Sequence, residues 1–131
     1  MRFAYAYRHS LSGTARVSAT GRIESTYLMR ITKMATYILL GTFTDQGMKN
    51  VKDTTKRVQD FKEMATRAGA TVKDVFWCHG QFDTVAILEA PSSEVASAVA
   101  LSVSSLGNIH TQLRRAFTED DMQVILGKMQ E

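Results

Sequence analysis

The sequence predicts an α+β fold, a ferredoxin-like antiparallel sheet in the order βαββαβ with an extra C-terminal helix. Three observations predict it. Apolar and β-branched segments of strand length occur at 36–43, 71–78, 83–90 and 109–117. Helical patterns separate the first from the second and the third from the fourth, while a short connection joins the middle two. Right-handed crossovers then place both helices on one face, and we expect the first and third strands to be central and parallel to each other.

The first strand, TYILLGTF, is apolar at both alternating sets of positions, which is typical of a central strand. A helix is predicted over 48–68, because its apolar positions recur every three or four residues. These positions are Val51, Thr54, Val58, Phe61, Ala65 and Ala68. We expect Asn50 to cap this helix and Gly69 to end it.

The second and third strands are predicted to form a hairpin with Gly80-Gln81 as a two-residue type II′ turn. This register pairs Phe76 with Val85 and Cys78 with Asp83. One face then carries Val72, Asp74, Phe76, Cys78, Asp83, Val85, Ile87 and Glu89. The other carries Lys73, Val75, Trp77, His79, Phe82, Thr84, Ala86 and Leu88. Both faces of the hairpin are therefore substantially apolar.

Capping signals predict the remaining helices. Ser92 is a natural cap for a helix that Gly107 ends, and the fourth strand follows at 109–117. Thr118 with Asp121 three residues later resembles a capping box. The apolar positions of the terminal helix are Met122, Ile125, Leu126 and Met129.

Composition excludes several classes of protein. At 131 residues and 44% hydrophobic content, the chain is long enough for a single core. Its single cysteine permits no internal disulfide, so we expect a cytoplasmic protein. No apolar run approaches the roughly 20 residues that span a bilayer, so a membrane partner is not expected.

The basic charge is confined to the N-terminal third. Residues 1–33 hold six Lys/Arg and one Asp/Glu, a charge of +5, whereas residues 34–131 hold ten and twelve, a charge of −2. We therefore interpret 1–33 as a leader and 34–131 as the domain, and expect no nucleic-acid partner. The leader is interpreted as an over-extended start or disordered tail, with a targeting segment or a packed tail as alternatives.

A sheet that is apolar on both faces needs a second cover, because the predicted crossover helices occupy only one face. Leaving the other face in water would expose a larger apolar patch than monomers usually carry. We therefore expect a homodimer, or a higher homo-oligomer, joined sheet to sheet. The terminal helix folding over that face is the alternative.

The hairpin and its flanking segments resemble the GYD-domain family. The resemblance lies in Gly80-Gln81-Phe82-Asp83, followed by Val85 and Glu89-Ala90-Pro91. Supporting stretches are Leu40-Gly41, Thr44, Gly47, 49–53, Leu106-Gly107-Asn108 and 114–117. The resemblance implies a dimeric α/β-barrel fold and self-association, but no activity. Phe82 stands where the family motif has a tyrosine, so no role of a phenol hydroxyl is carried over.

Candidate site residues lie at the hairpin end of the predicted sheet. We expect Tyr37, Asp83 and Arg114 to meet there as catalytic candidates, with Asp83 as base or ligand anchor and Arg114 holding an anion. Alternatively, Asp83 stabilises the turn through backbone or Tyr37 hydrogen bonds and pairs with Arg114. The predicted ligand-binding residues are Trp77, His79, Phe82, Asp83 and Arg114.

No metal site and no cofactor are predicted. The parallel arrangement of the first and third strands places His79 and His110 at opposite ends of the sheet, which prevents them from sharing an ion. Cys78 is expected to be a small buried hydrophobe.

Two functional hypotheses remain open. The first is a self-associating module that binds or senses a small apolar ligand in a cavity between two sheets. The second is a cofactor-independent enzyme, of isomerase or oxygenase type, acting on a small hydrophobic substrate in that cavity.

Overall fold

The computed structural model describes residues 33–130, which form the four strands and three helices of the predicted order and one additional short helix after the first strand. The strands are β1 (Ala35–Phe43), β2 (Thr71–Trp77), β3 (Thr84–Ala90) and β4 (Ile109–Ala116). The helices are α1 (Asp45–Lys49), α2 (Thr54–Ala68), α3 (Ser93–Ser105) and α4 (Glu119–Gly127), with a 3₁₀ turn at Val51–Asp53. The predicted leader lies outside the described residues, apart from Lys33, and stays a prediction.

The sheet has the order β2-β3-β1-β4, so β1 and β3 are central as predicted. Every neighbouring pair is antiparallel, and the expectation that β1 and β3 run parallel is wrong. The reason is that each crossover helix relates two strands that are not neighbours. β1 is parallel to β2, and β3 to β4, whereas the strands that share hydrogen bonds run in opposite directions.

This orientation brings the starts of β3 and β4 to the same end of the sheet. Gly41, late in β1, pairs with Thr84, the first residue of β3, and Thr42 pairs with His110, near the start of β4. The prediction that the hairpin tip and His110 lie at opposite ends is therefore wrong.

The hairpin has the predicted pairing but a longer connection. Phe76 pairs with Val85 as expected, and the pairing ends at Trp77 and Thr84. Six residues, 78–83, then connect the strands, and the N–H of Cys78 donates to the Asp83 carbonyl at 2.8 Å. Gly80 lies in the left-handed region, with φ of 105°. The predicted two-residue turn is wrong, because bends fill 79–81 where a tight turn was expected.

A register irregularity between Val72 and Asp74 changes one predicted face. Beyond it, Val72 pairs with Leu88, and its side chain packs against the core on the helix side. Lys73 is the extra residue that shifts the register by one position, which moves Val72 to the face opposite the predicted one.

Capping residues define most of the helix ends. Ser92 caps α3 by accepting the N–H of Val95, and Thr118 and Asp121 form the predicted capping box at α4. Gly69 ends α2 with φ of 98°, also as predicted. The predicted cap Asn50 instead ends the short helix α1, which Thr44 caps through the N–H of Gly47.

The core lies between the sheet, α2 and α3. The sheet contributes Tyr37, Leu39, Ala86, Leu88 and Ala90. The helices contribute Phe61 and Ala65 from α2 and Ala96, Val99 and Ala100 from α3. Half of these residues are alanine, which lets the helix backbones lie close to the sheet.

The opposite face of the sheet carries the other alternating set of side chains. Ile38, Leu40, Val85 and Ile87 are half-buried there, and Phe76 is 55% exposed. We call this surface the helix-free face. Helix α4 contains no fully buried residue, and Met122 and Leu126 of its apolar stripe are exposed. Among the described residues, no helix has both the length and the apolar character needed to cross a bilayer.

Gly47 lies at a position that has no room for a side chain. A Cβ atom there would lie less than 3.0 Å from the Asn108 carbonyl oxygen, which already accepts the N–H of Thr44. Gly47→Ala should therefore lower the free energy of unfolding by about 1–3 kcal/mol in urea denaturation. Gly127→Ala is the matched control, because its Cβ would meet nothing within 4 Å. Equal stability of the two variants would contradict the packing described here.

Candidate functional site

An apolar cavity of about 100 Å³ lies between the sheet and helices α2 and α3. The strands and the two helices each provide part of its wall. Apolar residues of this wall include Leu39, Val58, Phe61, Val75, Val103 and Ile109. Concave, mostly apolar sites with a few polar groups are typical of small-molecule binding.

Gly41 forms bare backbone at the cavity wall, in the interior of β1. A Cβ atom at this position would lie less than 3.0 Å from the side chains of Ile109 and Thr84. A glycine inside a strand often marks such a close approach. The absence of a side chain here leaves room over β1 for the side chains of Ile109 and Thr84, which both line the cavity.

Arg57, on α2, is the cation of the cavity lining. Its side chain is half-buried, and its guanidinium donates to the carbonyl oxygens of Asn50 at 2.7 Å and Gly47 at 3.3 Å. Within residues 33–130, no carboxylate oxygen lies within 4.0 Å of this guanidinium. Asp60 also lines the cavity, from an exposed position one turn further along the same helix.

Trp77 adjoins the cavity on the helix side of the sheet. Its indole Nε1–H donates to Thr54 Oγ1 at 3.0 Å, and both Thr54 and Thr84, its cross-strand neighbour, line the cavity. The sequence predicted Trp77 as a ligand-binding residue, and the structure places it beside a cavity within one chain.

Asp83 ties the hairpin connection to the end of β1. Its N–H donates to the Gly41 carbonyl at 2.8 Å, and its carboxylate Oδ2 accepts the N–H of Phe43 at 2.9 Å. These hydrogen bonds agree with the predicted alternative in which Asp83 stabilises the turn through backbone groups. Its partner is neither Tyr37 nor Arg114.

The predicted cluster of Tyr37, Asp83 and Arg114 does not form. Tyr37 is 5% exposed in the core and pairs with Leu88 and Arg115, four residues before Gly41, or roughly 13 Å along the strand. Arg114 is exposed, and strand alternation places it on the helix-free face, where it donates to Gln112 at 2.7 Å. The prediction failed because it rested on the wrong strand orientation.

The other polar residues of the hairpin lie near the surface. His79 is exposed, and Phe82 is half-buried in the same connection. Cys78 is also exposed, so the expectation of a buried cysteine is wrong. His110 is exposed at the same end of the sheet. In the described part of the chain, no group of three His, Cys, Asp or Glu residues is arranged to hold a metal ion.

Arg57, Thr54 and Asn108 provide polar groups to the cavity lining, and we call them the polar rim. The sequence did not predict this role for any of them. Arg57 precedes Val58 in an amphipathic helix and is indistinguishable there from an ordinary solvent-facing cation. Two signals were present: Thr54 interrupts an otherwise apolar stripe, and Gly41 interrupts an apolar strand.

Residues 37–126 match the family model of the GYD domain. The chain belongs to the GYD-domain family. The match extends from β1 to α4 and includes the hairpin connection, which confirms the resemblance that the sequence predicted. No curated protein and no solved structure is significantly similar to the chain.

Replacement of Asp83 should destabilise the domain. Asp83→Ala leaves the N–H of Phe43 without its acceptor, and we expect a loss of about 1–3 kcal/mol in the free energy of unfolding. Asp83→Asn keeps an oxygen acceptor and should lose less. His79→Ala, in the same connection but exposed, is the control and should unfold like the wild type. Unchanged stability of Asp83→Ala would refute the structural role.

Proposed function

We propose that this GYD-domain protein is a self-associating module that binds a small ligand. Its ligand occupies the cavity between the sheet and helices α2 and α3 of each protomer, and two copies join through their helix-free faces. The cavity is the observation that carries the proposal, because it combines an apolar wall with a polar rim. The position differs from the inter-sheet site expected from the sequence.

The cavity volume limits the ligand to a small molecule. An engineered apolar cavity of roughly 150 Å³ in another protein binds benzene, whereas this cavity is smaller, at about 100 Å³. The ligand is therefore no larger than a single ring or a short branched chain, with polar substituents directed to the rim.

The alternative function, an enzyme whose catalytic cluster includes Asp83, has less support. Asp83, the predicted base, already accepts a backbone N–H, and Tyr37 and Arg114 lie on opposite faces of the sheet. These placements favour ligand binding over catalysis. We propose a cytoplasmic location, which the single, exposed cysteine supports because a reducing compartment keeps it free.

Toluene tests the position of the ligand site. In methyl NMR, saturable toluene binding should shift the methyl signals of Val58, Val103 and Ile109 and leave those of Ile38 and Ile87 unchanged. Val103→Phe fills the cavity and should remove this binding. Leu101→Phe is the control on the same helix, because Leu101 is 71% exposed and outside the lining. Shifts confined to Ile38 and Ile87 would return the site to the inter-sheet space.

The helix-free face supports self-association through its pattern of side chains. One row of paired residues crosses the sheet as Asp74, Ile87, Ile38 and Arg114. The next row is Phe76, Val85, Leu40 and Gln112. Each row is apolar over the two central strands, and the first has an acid on edge strand β2 and a base on edge strand β4.

This charge pattern is self-complementary. A two-fold axis that runs parallel to the strands, midway between two facing sheets, places β2 of each copy opposite β4 of the other. Asp74 then faces the partner's Arg114 twice, at the two sides of a shared apolar centre. We therefore propose this axis for the homodimer, with the dimeric α/β barrel as the resulting assembly.

Charge exchange tests the dimer and its axis together. By light scattering, Asp74→Arg and Arg114→Asp should each weaken dimerisation, because like charges then meet at both sides of the interface. The double variant exchanges the two charges and should restore the dimer. A wild-type monomer at micromolar concentration would overturn self-association. A double variant weaker than both single variants would overturn the axis only.

A further inference from the structure

We infer that the ligand is a small monocarboxylic acid with an apolar ring or short chain, and that Arg57 binds its carboxylate. The inference rests on the proposed function, which places a ligand in this cavity, and it specifies the chemistry of that ligand. It follows from the state of Arg57 and the character of the surrounding wall.

Arg57 forms no salt bridge with another residue of 33–130. Its two hydrogen-bond acceptors, the carbonyls of Asn50 and Gly47, are neutral, and no carboxylate lies within 4.0 Å. A guanidinium has five N–H donors, so three remain for a ligand. A half-buried cation beside an apolar wall attracts an anion more strongly than a fully solvated cation does, because the local dielectric constant is lower.

The two carbonyl contacts also fix the orientation of the guanidinium. They come from Gly47, in the middle of α1, and from Asn50, the residue after this helix, which positions the group before any ligand arrives. Planar guanidinium groups recognise carboxylates through paired hydrogen bonds, and a fixed fork loses little entropy on binding. Helix α2 begins at Thr54, in the same rim, and the positive end of its dipole also favours an anion.

The opposite charge at the cavity is Asp60, which makes an amine the competing ligand class. Asp60 is exposed, whereas Arg57 is half-buried and held by two hydrogen bonds. Solvent screens the exposed carboxylate more strongly than the guanidinium. The balance at the cavity therefore favours an acid over an amine.

Three probes of one size distinguish the ligand classes: benzoate, benzamide and benzylamine. Trp77 is the single tryptophan of the chain and bonds to the rim residue Thr54, so its fluorescence reports occupancy. With the wild-type protein, benzoate should bind at least about tenfold more tightly than benzamide, as expected for a charged hydrogen-bonded pair. Benzylamine should bind more weakly than either.

Variants assign the preference to Arg57. Arg57→Gln should bring benzoate down to the affinity of benzamide and leave benzamide unchanged, whereas Arg57→Lys should retain much of the preference. Lys56→Gln is the matched control on the same helix, because Lys56 is exposed and outside the cavity lining, and it should keep benzoate binding. Asp60→Asn removes the competing charge from the lining and should increase benzoate binding. Arg57→Gln also loses two structural hydrogen bonds, so its melting temperature is measured alongside. If this variant fails to fold, the preference of the wild-type protein for benzoate over benzamide still tests the inference.

The outcomes separate this inference from the proposed function. Equal binding of benzoate and benzamide by the wild type would overturn the acid preference and leave ligand binding in place. Tightest binding by benzylamine, lost in Asp60→Asn, would assign the ligand to the amine class and also overturn the inference. Failure of all three probes and of toluene to bind would overturn both proposals.

Discussion

A four-stranded sheet with apolar side chains on both faces needs two covers, and two crossover helices provide only one. Helices α2 and α3 bury Leu39 and Leu88 on their side, while Ile38, Ile87 and Phe76 belong to the other side. Hydrophobic burial is the main favourable term in folding and association, so the second face is where this chain gains by meeting another surface. Helix α4 does not satisfy this need within the described residues, since none of its residues is fully buried and Met122, Val124 and Leu126 are exposed.

The face covered by helices α2 and α3 is not packed throughout, because a cavity remains between the helices and one end of the sheet. Alanines at positions 96 and 100 hold α3 close to the sheet, whereas larger residues and the rim around Arg57 enclose open space near Gly41. The segment after β1 frames this end of the domain. Thr44 donates to the Asn108 carbonyl, and Gln46 donates to Leu106, so the start of β4 and the start of α2 are joined through one short helix. The cavity is thus bounded by tightly hydrogen-bonded backbone.

Local signals in the sequence predicted most of the architecture. The three- and four-residue spacing of α2, the caps at Ser92 and Thr118, and Gly69 at a helix end all depend on neighbours within one or two turns. The direction of β1 relative to β3 follows from one crossover, which makes β1 parallel to β2, and one hairpin, which makes β3 antiparallel to β2. A correct element order did not prevent an error there. That error placed the hairpin tip with Asp83 at the end of the sheet that carries Tyr37 and Arg114, whereas it lies at the end that carries His110.

The candidate site was less predictable, because it is made by contacts between distant parts of the chain. Asp83 accepts the N–H of Phe43, forty residues earlier, and the guanidinium of Arg57 is oriented by the carbonyls of Asn50 and Gly47, which belong to the segment before α2. Neither interaction has a pattern in the sequence. Side-chain type alone indicated reactive groups around the hairpin, whereas the cavity wall consists of ordinary apolar residues whose spacing resembles that of any core.

The register irregularity at Lys73 affects how copies of this chain can assemble. It lies on β2, an edge strand, where a regular row of free N–H and C=O groups would be a template for another strand. The extra residue interrupts that row, and lysine adds a charge to it, so side-by-side extension of the sheet is disfavoured. The edge of the sheet is therefore a poor template for growth into open-ended fibres.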